Sequence, residues 1–295
     1  NKQIKTAHGE PFVSGLQQSL TRPFGQSLQY RGTYYTLSNE RIPFHKDKTE
    51  DDRFFALTLI AIAKEITARG ISEKELHRIQ LAVGLPPAHF GAQSEKFASY
   101  FQGRGLVEFM YRDRHYAISI EDVACYPQAY AAAATMLHTL LDDPKAVVLD
   151  IGGFTADYLL LNNGKAALAS CDSLENAVIL IYNKIRSRVN AELDLLLDEG
   201  DVDAILSGKL TQYPADAVQL VERLAQEFVN DLFSTLRERM LDLRYCRAVF
   251  VGGGAILLRR QIEASGKVGM PLFVTNINAN AAGFEYLYRL ETMGR

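Results

Sequence analysis

One stretch constrains this chain more than any other: Val147-Val148-Leu149-Asp150-Ile151-Gly152-Gly153-Phe154-Thr155-Ala156-Asp157-Tyr158-Leu159-Leu160-Leu161. An apolar run ends on an acid, two glycines and a threonine follow, and a second acid opens another apolar run. Asn162-Asn163-Gly164-Lys165 comes next, and Asn-Gly is a strong two-residue hairpin signal. The order predicts strand, tight turn, strand, hairpin, strand. The turn lacks side-chain bulk, so its backbone N–H groups can point at an anion held close to them, and Thr155 adds a hydroxyl donor. Asp150, at the end of a buried strand, suits hydrated Mg²⁺, which keeps several waters and takes few carboxylates. Gly152, Gly153, Phe154 and Thr155 are therefore a candidate phosphate turn and Asp150 a candidate metal ligand. An ordinary glycine-turn hairpin explains the strands, but it does not require Asp-x-Gly-Gly, a threonine and a second acid.

The chain has 295 residues, enough for one large or two medium domains with a sizeable core. A net charge of −3 gives no global field that would draw it to nucleic acid or anionic lipid. The longest apolar runs, 54–63 and 248–258, fall well short of the roughly 20 residues a membrane helix needs. The 3 cysteines, Cys125, Cys171 and Cys246, are odd in number and far apart, which fits a reducing cytoplasm and small core residues better than a disulfide framework. The N-terminus is polar, has no signal-peptide core and no initiator Met. The expectation is that it begins inside a longer gene product.

Taken in order, 32–37 is strand-like, and 41–52 is a polar loop carrying Lys46 and Lys48, whose charge also fits a plain solvated face. The segment from Phe54 to Gly70 reads as a buried helix stopped by glycine, with a turn of helix expected at 72–76. A strand over 78–84, a helix over 93–101 and a hairpin about Arg112-Asp113-Arg114 follow. Pro127 is expected in the first turn of an alanine-rich helix over 129–141, where Gln128 can project its amide; spacing alone favours reading Gln128 as a solvated helix-start residue. Long helices are expected over 174–197 and 215–241. Arg247-Ala248-Val249-Phe250-Val251 is a buried strand entering Gly252-Gly253-Gly254, with a helix over 256–264, a short strand at Phe273-Val274 and a last helix. Three glycines at a strand-to-helix turn clear side chains from where a flat or charged ligand would approach the backbone.

Several chemistries are excluded. No Gly-x-x-x-x-Gly-Lys-Ser/Thr, Gly-x-Gly-x-x-Gly, Gly-x-Ser-x-Gly or His-Glu-x-x-His string occurs, and the 6 histidines show no ligand spacing.

Two strand-ending glycine turns separated by long helices resemble the paired phosphate and adenosine motifs of the actin, Hsp70 and sugar-kinase superfamily. Asp150-Ile151-Gly152-Gly153-Phe154-Thr155-Ala156-Asp157 is similar to its second phosphate motif and Val249 through Ala255 to its adenosine motif. Pro127-Gln128-Ala129 and Asn280-Ala281-Ala282-Gly283 resemble its two connecting helices. Tyr34-Tyr35, Lys48, the 54–63 helix and Val83-Gly84-Leu85-Pro86 narrow the resemblance to ParM/StbA plasmid-segregation actins. The family's first phosphate motif is Asp-x-Gly, four residues and a Lys. With Asp-x-Gly just upstream of Asn1, Lys5 falls on the phosphate-contacting lysine; a chain truly without that Asp would bind Mg-nucleotide poorly.

The resemblance implies an α/β, actin-like fold: two ribonuclease-H-like domains flanking a nucleotide cleft, domain I from 1–148 with 276–295 and domain II from 149–275. It implies ATP (or GTP) with Mg²⁺ as cofactors, Gly152, Gly153, Phe154, Thr155 and Lys5 on the phosphates, and Asp150 on Mg²⁺. It also implies Gly252, Gly253 and Gly254 against the ribose and base, and Gln128 orienting the attacking water. The function implied is a cytoplasmic ATPase whose subunits polymerise head to tail, an open heterologous contact, for plasmid segregation. The filament would bind a DNA-bound adaptor protein and neither DNA itself nor a membrane. A small-molecule kinase of the same superfamily is the alternative, and it lacks a persuasive carboxylate base beside Gln128. A non-hydrolysing actin-like scaffold is a further one.

Overall fold

The computed structural model describes residues 3–294 except 41, 44–46, 73, 74, 176, 210 and 211. Lys46 and part of the 72–76 segment therefore lie outside the described residues. The chain folds into two compact units, one from residues up to Thr135 together with those from Asn278 on, the other from Met136 to Ile277.

The first unit begins with a two-stranded pair, β1 (Gln3–Ile4) and β2 (Phe12–Val13). Its main sheet contains β3 (Leu16–Ser19), β4 (Leu28–Tyr30), β5 (Thr33–Leu37), β6 (Leu76–Leu85), β7 (Leu106–Tyr111) and β8 (Arg114–Pro127), in the order β3-β5-β4-β7-β8-β6. Only the β6–β8 pairing is parallel; the others are antiparallel. Helix α1 (Arg53–Ala68) buries Phe55, Leu59, Ile60, Ile62 and Ile66 against this sheet. It closes in a Schellman arrangement, with Ile71 N–H donating to Ile66 O at 3.1 Å and Gly70 N–H to Thr67 O at 3.1 Å. Helix α2 (Pro87–Phe101) begins earlier than the 93–101 expected, because Pro87 suits a first helical position. Leu76, expected in a helical turn, instead opens β6, where it pairs with Ala117.

Pro127 ends β8, so it does not sit in the first turn of a helix. The alanine-rich segment is also shorter than expected: α3 (Tyr130–Ala134) is one turn and more, and a 3₁₀ turn over Leu137–Leu140 follows. Tertiary packing overrides propensity here. Ala131 to Ala134 are all buried.

The second unit is a five-stranded sheet of β9 (Ala146–Ile151), β10 (Ala156–Asn162), β11 (Lys165–Leu174), β12 (Arg247–Val251) and β13 (Met270–Phe273), ordered β11-β10-β9-β12-β13. β9, β10 and β11 form an antiparallel meander, and β12 and β13 run parallel to β9. All six β9 residues are buried, as a central strand covered on both faces requires. The helix expected over 174–197 starts late because Leu174 is paired to Ala156 in the sheet. It becomes α4 (Val178–Leu193), ended by left-handed Asp194, and α5 (Glu199–Leu206), begun by an Asp198–Asp201 capping box. Helix α6 (Ala215–Glu238) supplies Leu224, Val229, Phe233 and Leu236 to the core. The 256–264 helix is two pieces, α7 (Gly253–Leu257) and α8 (Arg259–Ala264).

The last helix, α9 (Ala279–Met293), returns to the first unit. A Cβ on Gly283 would collide with the backbone carbonyl of Ala131, so α3 and α9 touch main chain to main chain. Among the described residues no helix is long and apolar enough to cross a membrane.

Candidate functional site

The 150–157 stretch folds into the hairpin its spacing predicts. Ile151 pairs with Ala156 and Gly152 N–H donates to Thr155 O at 2.9 Å, closing a turn of Gly152, Gly153, Phe154 and Thr155, all of them half-buried. The carbonyls of Gly152 and Gly153 accept from Val178 N–H at 3.4 Å and Ile179 N–H at 2.9 Å, so the turn is fastened to the start of α4. That fastening leaves a rigid glycine turn at the end of a central strand, the setting in which backbone N–H groups serve an anion.

Asp150 is the last but one residue of β9 and only 6% exposed. Its direct cross-strand neighbour on β10 is Asp157, 2% exposed. Directly opposed residues of an antiparallel pair project to the same face, and like charges in that relation are unfavourable unless a cation or donors compensate. The sequence marks Asp157 as the second acid of the motif; its register opposite Asp150 appears only in the sheet.

The triple glycine separates into three different positions. Gly252 has φ +90°, and a Cβ there would collide with Asp150 Oδ1 and come within 2.7 Å of Ile151 O. Gly254 is buried, and a Cβ there would press on Ile151 O at 2.7 Å and on Val178. Gly253 is exposed, and a Cβ there would meet nothing within 4 Å. Gly252 and Gly254 are thus needed by the packing of β9, β12 and α4, while Gly253, next in the chain to the Gly252 that meets Asp150, faces open space. Val251 and Asp150 are paired in the parallel β12–β9 ladder, so the two glycine turns leave the carboxyl ends of neighbouring strands side by side. The strand ends therefore bring Asp150, the 152–155 turn and Gly253 together.

Gln128 and Lys5 belong to the first unit. Gln128 N–H donates to Leu85 O at 2.8 Å, extending the β6–β8 ladder by one residue. Ala129 then takes φ +63° and ψ −54°, and Tyr130 N–H donates back to Gln128 O at 2.7 Å. This is a γ-turn of the rare, strained hand. It is held from α9: the Ala129 N–H donates to Asn280 Oδ1 at 3.0 Å. Nothing in an alanine announces such a conformation, so sequence reading missed it. Lys5 directly follows β1 and is half-buried. The loop it opens is tied to α1 by Glu65, whose carboxylate meets His8 Nδ1 at 2.7 Å and accepts from the N–H groups of His8 at 3.2 Å and Gly9 at 3.1 Å. Burial by itself would raise the Glu65 carboxyl, but hydrogen bonds from Thr6, His8 and Arg69 outweigh it and hold the group at about 2.

Among the described residues no three His, Cys, Asp or Glu side chains form a metal cage. The donor set at Asp150 fits a hydrated hard cation, which needs one or two carboxylates and completes its shell with water and phosphate oxygens. The unfilled space over Gly253 fits a flat or charged group brought close to backbone.

The model for the N-terminal domain of actin-like proteins matches residues 17–130. The model described as archaeal actin homologue MreB-like, C-terminal, matches residues 148–264. A search of curated proteins returns no match. Among solved structures, Ta0583, an archaeal actin homolog, aligns with TM-score 0.77 at 15% identity over 98% of each chain. The actin-like protein Alp7A aligns with TM-score 0.75 at 14% identity over 97% of this chain and 92% of its own. Bacillus thuringiensis ParM, solved with ATP, aligns with TM-score 0.69 at 10% identity over 99% and 95%. Ta0583 is also known in complex with ADP, with TM-score 0.71 at 16% identity over 98% and 96%. Alp12, solved as a filament, aligns with TM-score 0.66 at 14% identity over 96% and 90%. Actin-like models thus match both parts of the chain, and archaeal actin homologues and ParM share its architecture: this chain has the ParM-type actin-like fold.

Proposed function

We propose that this chain is a cytoplasmic nucleotide hydrolase that binds ATP or GTP with Mg²⁺ and assembles head to tail into nucleotide-dependent filaments. The observation that carries the reading is the Asp150 carboxylate seated against Gly252, beside the 152–155 turn and the open space over Gly253. An anion-receiving turn, a buried acid and an uncovered backbone at adjoining strand ends match the three parts of a Mg-nucleotide: phosphates, cation, and ribose with base. The ADP complex of Ta0583 and the ATP complex of Bacillus thuringiensis ParM support nucleotide as the ligand. The Alp12 filament supports self-association.

In this reading the 152–155 turn and the Thr155 hydroxyl donate to the phosphates and fix their position. Asp150 would hold Mg²⁺ through water, and a cation held there would supply positive charge beside the phosphates. Gly252 to Gly254 let the ribose and base lie against backbone. From the first unit, Lys5 takes the role of a second positive charge on the phosphates. Gln128 takes that of the group orienting the attacking water. A carboxamide both donates and accepts, so it can aim a water but not deprotonate it at neutral pH. Hydrolysis is then largely positioning and charge stabilisation. The functional division follows the resemblance, with 149–275 carrying the second phosphate and adenosine groups and the remainder carrying Lys5 and Gln128.

Nucleotide-dependent polymerisation in a chain of this family fits plasmid or DNA segregation through a DNA-bound adaptor protein; the net charge of −3 offers no field for direct contact with DNA. The test is sedimentation and phosphate release measured together on the full-length protein with MgATP and MgGTP. Pelleting that follows nucleotide and reverses as phosphate appears supports the reading. Hydrolysis without pelleting up to tens of micromolar, or phosphate passing to an added hydroxyl acceptor, sinks the filament part.

A further inference from the structure

We infer that Asn280 is a positioning residue for Gln128, acting through the strained backbone of Ala129; this rests on the hydrolase reading given above. Three observations meet at one point. Ala129 is fully buried and held at φ +63° and ψ −54°, a conformation an L-residue avoids unless its surroundings enforce it. The two neighbours of Ala129 are clamped: Gln128 N–H is committed to Leu85 O at 2.8 Å, and Tyr130 N–H to Gln128 O at 2.7 Å. The remaining donor of the turn, the Ala129 N–H, goes to the side chain of Asn280, 151 residues away, at 3.0 Å.

That last contact has no equivalent in regular structure. A residue one position before the first turn of a helix ordinarily has its N–H in water or on a nearby cap. Here the donor is buried, so without the Asn280 side chain that N–H would lose its acceptor and the turn could relax toward an extended or helical Ala129. Either relaxation rotates the Gln128–Ala129 peptide and swings the Gln128 side chain, because the Cα–Cβ direction follows the backbone. Positioning groups lose their value over displacements of about 1 Å. Asn280 itself is fixed in direction by the crossing of α9 on α3, where Gly283 lies against the Ala131 carbonyl. The acceptor thus comes from a rigid element and not from a loop.

The experiment compares Asn280→Ala, Asn280→Asp and Gln128→Ala, singly and as the Gln128→Ala/Asn280→Ala pair, in single-turnover MgATP hydrolysis and in nucleotide titration. Asn280→Ala is expected to slow hydrolysis about 10-fold or more with nucleotide affinity unchanged, by analogy with other single positioning contacts. Asn280→Asp keeps an acceptor oxygen and is expected to recover most of the rate. In the Gln128→Ala background, Asn280→Ala should add nothing, since the group it positions is gone. Amide exchange at Ala129 supplies an independent readout, and its protection should fall in Asn280→Ala and hold in Asn280→Asp. Should Asn280→Ala lose its native circular-dichroism spectrum, Asn280→Ser, whose shorter side chain cannot reach the amide, takes its place.

If Gln128→Ala slows hydrolysis while Asn280→Ala does not, the positioning role is overturned and the hydrolase reading stands. If Asn280→Ala slows hydrolysis equally with and without Gln128, Asn280 acts elsewhere and the inference is overturned. If Gln128→Ala leaves the rate unchanged, the role of Gln128 falls and the inference falls with it.

Discussion

The carboxylate of Asp150 occupies the place that any side chain at Gly252 would take, with Asp150 Oδ1 inside collision range of a Cβ built there. Gly252 is therefore demanded twice, by its φ of +90° and by the acid beside it. Gly252→Ala should destabilise the protein by about 1–3 kcal/mol and displace Asp150, so nucleotide affinity should fall together with the denaturation midpoint. Urea melts and calorimetric titration with MgATP read both quantities, and an unchanged midpoint would show the packing to be looser than the geometry states.

Gly253→Val should behave in the opposite way. Its Cβ meets nothing within 4 Å, so the fold tolerates it, with a stability change within about 1 kcal/mol. A branched side chain over the 252–254 turn should nevertheless weaken nucleotide binding. A variant that melts like the parent and binds a nucleotide analogue equally well would leave the open space without a ligand.

Asp150→Ala should remove the Mg²⁺ dependence of nucleotide binding while the fold persists. Asp157 lies directly opposite, so deleting one of two buried acids relieves a like-charge juxtaposition and offsets the lost packing. Titration with nucleotide in the presence of MgCl₂ or of EDTA checks this. Affinity that still rises with Mg²⁺ in the variant would remove Asp150 from the metal site.

Gln128→Ala should slow hydrolysis on the order of 10- to 1,000-fold yet leave nucleotide-dependent assembly intact, so filaments persist longer. Time courses of light scattering and phosphate release, recorded on the same sample, separate the two effects. Loss of assembly at normal affinity would instead give Gln128 a structural role.

Glu65 supplies a pH dependence with a definite sign. Its carboxyl is lowered from 4.5 to about 2 in the fold, so the unfolded chain binds the proton more tightly. Its contribution is fully present above about 4.5 and is lost as pH falls toward 2. Glu65→Gln should flatten the acid limb of the stability curve in that window. Glu65→Ala should cost on the order of 2 kcal/mol at neutral pH through the lost bonds to His8 and Gly9. Equilibrium melts between pH 2 and 7 read the difference, and an acid limb identical to the parent's would show the Lys5 loop to be held by other contacts.

Much of this protein was legible in order along the chain because its signals are local. The 150–157 spacing gives two strands about a glycine turn. Asn163-Gly164 gives the next hairpin, with φ of +47° and +72° as that turn requires. The buried run before Gly252 gives β12. These follow from period, steric freedom and turn chemistry within a few residues. The hairpin at Arg112 and Asp113 was placed by alternation of the flanking strands, although both residues take positive φ without a glycine to announce it. Other features depend on residues distant in sequence. Which glycine of 252–254 is packed and which is open depends on Asp150, Ile151 and Val178 arriving beside them. The opposition of Asp150 and Asp157 depends on sheet register. The break-up of the 129–141 and 174–197 helices depends on neighbours that reward a different local state, burial of α3 in one case and pairing of Leu174 with Ala156 in the other. The strained turn at Ala129 depends on an asparagine 151 positions further along the chain. By itself the sequence determined the strands, the glycine turns and the actin-like resemblance, because propensity and spacing act over a few residues. The tertiary structure alone decided which atoms face open space and which backbone is held in strain, because long-range packing and hydrogen bonds set both.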